Sequence, residues 1–175
     1  MAIGEQLTRV TIWLALAGYG LGAGTLLRVR KRESQLAFAR AVWTLGCLSY
    51  LAHVVFAFHY YHAWSHQAAY RETARQTRQV VNLEFGSGVF VSYAFTLGWL
   101  ADVVWWWCRG VQSYWRRPSW LTLGWHGFFL FVVFNATVVF ESGAVRWIGF
   151  ALCLGLAAVW WSGRSVPAAN DSATQ

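Results

Sequence analysis

Five long apolar stretches leave this chain little choice of fold. They run from Val10 to Leu27, Leu36 to Tyr61, Val89 to Cys108, Trp120 to Phe140 and Val145 to Trp161. At 1.5 Å of rise per residue, about 20 residues cross a bilayer core of roughly 30 Å, and the second stretch would cover about 39 Å. Composition agrees. Hydrophobic residues make up 57% of the chain and charged ones 12%, where a soluble domain carries about 25%. The sequence predicts an all-α integral membrane protein, a bundle of five transmembrane helices forming one domain over residues 1–163. The remaining segment, 164–175, is small and polar and is expected to be disordered.

A net charge of +7 would suit a nucleic-acid partner, but the placement of the charge argues for topology instead. Arg28, Arg30, Lys31 and Arg32 share one short connection, and Arg109, Arg116 and Arg117 share another. The opposite face mixes signs, with Arg71, Glu72, Arg75, Arg78, Glu84, Glu141 and Arg146. By the positive-inside rule the N-terminus lies outside and the C-terminus in the cytoplasm, as in a bacterial inner membrane. The partner implied is the lipid bilayer, not nucleic acid. Arg9 precedes the first stretch, but the basic run RVRKR follows it, whereas a secretory signal carries its positive charge before the run, so it reads as an uncleaved helix. Trp105, Trp106 and Trp107 beside Arg109 fit an interfacial aromatic belt. Cys47, Cys108 and Cys153 are far apart in apolar surroundings and read as small hydrophobes rather than disulfide partners.

The second stretch does not end clearly. No Gly or Pro occurs from Leu48 to Phe85, and QAAYRETARQTRQ is rich in helix formers. One long helix extending past the outer membrane surface is expected; a kink near Ser65 is the alternative. On a continuous helix at about 100° per residue, His59, His62, His66, Tyr70, Thr73 and Thr77 fall within roughly 60° of one line. Neutral imidazole is the commonest metal ligand, so the stripe points to zinc, copper or iron. His59 and His66 lie about 10.5 Å apart along the axis, which leaves His59 with His62, or His62 with His66, as chelating pairs. Glu84 and Glu141, expected at similar depth, could complete the shell and leave a position for water or oxygen, as a membrane hydrolase or oxidase needs. An interfacial belt of amphipathic rings would use the same residues without a metal.

Inside the membrane, Asp102 on the third stretch and His126 on the fourth are expected at matched depth and could share a hydrogen bond. Ionisable groups in lipid are costly, so this pair could relay protons, orient a ligand or simply staple two helices. Haem b needs two histidines from different helices; His53 or His59 with His126 are the cross-helix choices, but His59 and His126 sit near opposite membrane faces and His53 and His126 are staggered in depth.

No HExxH, GxSxG, Walker loop, dinucleotide fingerprint or CxxC is present. Gly18 with Gly22 and Gly20 with Gly24 form two overlaid GxxxG pairs, and Gly88 with Ser92 and Gly149 with Cys153 are of the same small-residue type. They support the rival expectation, a non-catalytic accessory or assembly subunit packed against other membrane-protein subunits. No inverted repeat or Pro-broken helix pair favours a transporter.

Overall fold

The computed structural model describes residues 3–28 and 33–164, and these are all-helical, without a strand. Six α-helices and one π-turn follow in order: α1 Ile3–Arg28, α2 Glu33–Tyr60, α3 His66–Val81, α4 Gly88–Trp115, α5 Ser119–Phe134, the π-turn Asn135–Val139, and α6 Ala144–Arg164. Four segments are long and apolar enough to cross a membrane: Ile3–Leu27, Glu33–Tyr60, Gly88–Tyr114 and Ser119–Val139. The described apolar part of α6, Ala144–Val159, is shorter. It covers about 24 Å against a core of roughly 30 Å. The tail expected to be disordered lies, from residue 165, outside the described residues, as do Arg30, Lys31 and Arg32.

Close backbone approach sets the register of the bundle. A Cβ on Gly18 would sit 2.6 Å from Cα of Gly46, and one on Gly22 would sit 3.0 Å from the Trp43 ring, so glycine lets α1 and α2 pack as an antiparallel hairpin. Aromatic rings fill the space where α4 and α5 close over that hairpin. Trp43, Trp99 and Phe129 are fully buried, with ring centroids 5.5 Å apart for Trp43–Trp99, 5.2 Å for Trp43–Phe129 and 5.1 Å for Trp99–Phe129. Tyr19 stacks on Phe129 at 5.5 Å. Lipid offers no hydrophobic driving force between helices, so such shape-matched contacts, each contributing about 0.5–1.5 kcal/mol, hold the bundle.

Three consecutive tryptophans cannot share one helix face at about 100° per residue. Trp106 is 0% exposed and belongs to the core, whereas Trp105 and Trp107 are exposed. The expected belt is therefore divided: Trp107 donates to Thr44 Oγ1 at 3.0 Å and lies beneath the Arg40 guanidinium at 4.1 Å.

The single long second helix is corrected. α2 stops at Tyr60, and Ala63 (φ 45°) and Trp64 (φ 59°) take left-handed backbone before α3 begins at His66. The backbone N–H of Trp64 reaches the Phe58 carbonyl at 3.0 Å, which closes the end of α2. Ser65 then caps α3 by accepting from Ala68 N at 3.2 Å. Left-handed backbone costs a non-glycine residue about 1–2 kcal/mol. Here Trp64 packs on Phe58 and His59, with centroids 6.2 and 6.5 Å away. A local turn, with Trp64 folded back onto the last turn of α2, thus stops a helix that propensity alone would continue.

Candidate functional site

The break at residues 61–65 dismantles the histidine stripe. Beyond it, α3 turns His66, Tyr70 and Thr73, at i, i+4 and i+7, onto the start of α4. His66 Nδ1 and the Tyr93 hydroxyl are 2.9 Å apart. Any Cβ at Gly86 would collide with the Tyr70 ring, and one at Gly88 would sit 3.1 Å from Thr73. The stripe is a packing face. On the α2 side, His59 stands edge-on to Tyr60 and His62 edge-on to Phe58.

The two expected carboxylates are elsewhere. Glu84 is paired with Arg78, and Glu141 lies at the π-turn end of the bundle, where its backbone carbonyl accepts from Arg146 Nε at 2.9 Å. The set His59, His62, His66, Glu84 and Glu141 is thus not assembled. Among the described residues, no three His, Cys, Asp or Glu side chains are grouped so as to hold a metal ion. Glu72 is the carboxylate that feels the charge of His62. Its pKa is held below the usual Glu range by hydrogen bonds from Arg75, at 2.8 and 2.6 Å, with the charge of Arg75, a hydrogen bond from Gln76 Nε2 and the charge of His62 acting in the same sense against a smaller desolvation effect.

Asp102 is buried, as an apolar span requires it to be partnered, but its partners are not His126. Arg117 Nη1 donates to Oδ1 at 2.6 Å and the Tyr114 hydroxyl donates to Oδ2 at 3.0 Å. On a straight helix Asp102 and Tyr114 would be about 18 Å apart. Gly110 (φ 74°, ψ 170°) resolves this by breaking the helical path inside α4, so that the following turn folds back. Glycine is the residue that adopts such backbone without a steric penalty. Folding back stacks Tyr114 on Trp106, with centroids 3.9 Å apart and planes 7° from parallel, and places the Arg117 guanidinium 4.1 Å from the centre of the Tyr114 ring. Arg117 Nε donates to Thr122 Oγ1 at 3.0 Å, while Nη2 is buried without a hydrogen-bond partner. The Asp102 and Arg117 side chains are each only 7% exposed. This closed, charge-balanced cluster pins the end of α4 to the start of α5.

His126 instead stands edge-on to Trp43 at 5.8 Å. His53 Nδ1 lies 2.9 Å from the Thr8 carbonyl, which can only accept, so Nδ1 carries the proton. His53 is ten residues, about 15 Å along α2, from the Trp43 that His126 touches, whereas nitrogen–metal bonds are about 2 Å. The two histidines are not placed as axial ligands of one haem.

Sequence reasoning treated Arg117 only as a topology charge and passed over Tyr114. The available signal was the unpartnered Asp102 with a glycine between it and the next basic cluster. Comparison with protein-family models, curated proteins and solved structures finds no match to this chain.

Proposed function

We propose that this chain is a non-catalytic accessory or assembly subunit of a larger membrane complex. It is a single transmembrane domain of five spans, with its N-terminus outside and its C-terminus in the cytoplasm, as in a bacterial inner membrane. The supporting observation is a groove of about 640 Å³ between α1, α2 and α6, lined by Gly20, Gly24, Phe38, Leu152, Gly155 and Leu156 among others.

The glycines divide into two kinds. Those at 18, 22, 46 and 149 meet atoms of this chain where a Cβ would be, so the fold itself requires them small. Gly24 and Gly155 would meet nothing within 4 Å, and Gly20 only the tip of Leu152. An acyl chain does not need glycine, whereas the backbone of another helix approaching within packing distance does. The occupant the groove fits is a transmembrane helix of a partner subunit. The chemically capable side chains support the same reading, since Asp102, Arg117, His53 and His66 are engaged within the chain.

The test is gentle detergent extraction followed by native mass determination. A stoichiometric partner is expected that is released by Gly24→Leu and by Gly155→Leu but retained with Gly127→Leu, a replacement with equally open space outside the groove. A protein that is monomeric in native extracts, or a partner released by all three replacements alike, would overturn the proposal.

A further inference from the structure

A second, more enclosed cavity of about 260 Å³ opens at the opposite end of the molecule from Arg117. Five rings contribute to its wall: Trp13 and Tyr19 from α1, Tyr50 from α2, and Phe95 and Trp99 from α4. Ala136 and Thr137 of the π-turn complete it. That turn widens the helix by one residue, with Phe140 N donating to the Asn135 carbonyl at 3.0 Å, and π-turns of this kind occur frequently at functional sites. Thr137 spends its hydroxyl on the Val133 carbonyl at 2.7 Å, so it presents no free donor. Trp99 keeps a buried indole N–H without a hydrogen-bond partner.

Arg9 and Glu141 are the charged residues of the lining. Arg9 is 60% exposed and only loosely paired with Glu5, at 3.8 Å. Glu141 is exposed, and its contact with Arg146 uses the backbone carbonyl rather than the carboxylate. The site therefore joins an aromatic interior to two charges of opposite sign.

Dimensions narrow the occupant. From Arg9 to Tyr19 the cavity follows α1 for about 15 Å, half of a hydrocarbon core of roughly 30 Å, which is the depth of one leaflet. Its volume falls just below the roughly 300–1,000 Å³ of small-molecule sites, enough for part of one chain rather than two tails. A purely anionic head would bring like charge to Glu141, and a purely cationic one would bring like charge to Arg9. We propose that this cavity holds part of one acyl chain of a zwitterionic phospholipid, with the head-group amine on Glu141 and the phosphate on Arg9. The site is independent of the α1–α2–α6 groove and does not rest on the accessory-subunit reading.

The test is native mass spectrometry of the detergent-purified full chain, titrated with phosphatidylethanolamine or phosphatidylglycerol of identical acyl chains. One bound phosphatidylethanolamine is expected. A hydrogen bond to a charged group contributes about 1.5–3 kcal/mol, so phosphatidylglycerol should bind at least about tenfold more weakly. Glu141→Gln should abolish that preference, and Arg9→Gln should weaken both lipids. Both side chains are exposed, so neither change threatens the fold. Ala136→Phe, which fills the cavity from an exposed position, should eliminate tight binding while leaving the circular dichroism spectrum unchanged. Equal affinity for the two lipids, an unchanged preference in Glu141→Gln, or retention of phosphatidylethanolamine by Ala136→Phe would overturn the proposal.

Discussion

Replacing Asp102 by alanine tests the physical account of the buried cluster directly. The substitution removes the acceptor from two buried donors, Arg117 Nη1 and the Tyr114 hydroxyl. Arg117 would keep only its bond to Thr122 Oγ1 and its contact with the Tyr114 ring, and its Nη2 already lacks a partner. Removing one member of a buried ion pair costs about 3–5 kcal/mol, because the surviving charge remains desolvated. That is a large part of a total stability of about 5–15 kcal/mol. Tyr114→Phe removes one hydrogen bond to a charged group and keeps the stack on Trp106, so about 1.5–3 kcal/mol is expected. The double replacement Asp102→Leu with Arg117→Met removes both charges, and exchanging a buried ion pair for apolar residues is often neutral or stabilising. Equilibrium unfolding in mixed detergent micelles, followed by circular dichroism and pulse proteolysis, gives all three values. A loss below about 1 kcal/mol in Asp102→Ala, typical of exposed pairs, would refute the reasoning. So would a double variant no more stable than Asp102→Ala.

Gly18→Ala would place a methyl group 2.6 Å from Cα of Gly46. The α1–α2 hairpin should part by nearly 1 Å at a cost of about 1–3 kcal/mol, read as a shifted unfolding midpoint, whereas Gly24→Ala should leave the midpoint in place. Glu72 has a depressed pKa, so its stabilisation of α3 is complete above the unfolded value and is lost as pH falls through the lower folded one. Hydrogen-exchange protection of residues 71–81, corrected for intrinsic rates, should hold at pH 6 and fall below about pH 4; a flat profile would contradict it. Elemental analysis of the purified protein should find no near-stoichiometric zinc, copper or iron. Such a metal, lost in His62→Ala, would instead restore a histidine site and displace the accessory reading.

The membrane class and the approximate position of each apolar helix follow from the chain alone. A run of about 20 apolar residues has few alternatives once a bilayer is its solvent, whatever its neighbours do. The N-capping Ser65 and the left-handed Asn82 at the end of α3 also carry local signals in their residue types. Sequence showed equally well that Asp102 must have a partner, because the cost of an unpaired charge in lipid depends on its depth. Which partner it takes was settled only in three dimensions: Gly110 turns the chain back, and Arg117 and Tyr114 arrive where a straight helix would have carried them away. The same holds for the histidines. A stripe at about 100° per residue is a property of an unbroken helix, and left-handed Ala63 and Trp64 end that helix, with the Trp64 ring folded back onto Phe58, a break that periodicity does not show. The overlaid GxxxG pairs are alike as sequence, yet Gly18 and Gly22 face α2 while Gly20 and Gly24 border the open groove. Spacing tells which residues share a face; only packing decides what that face meets.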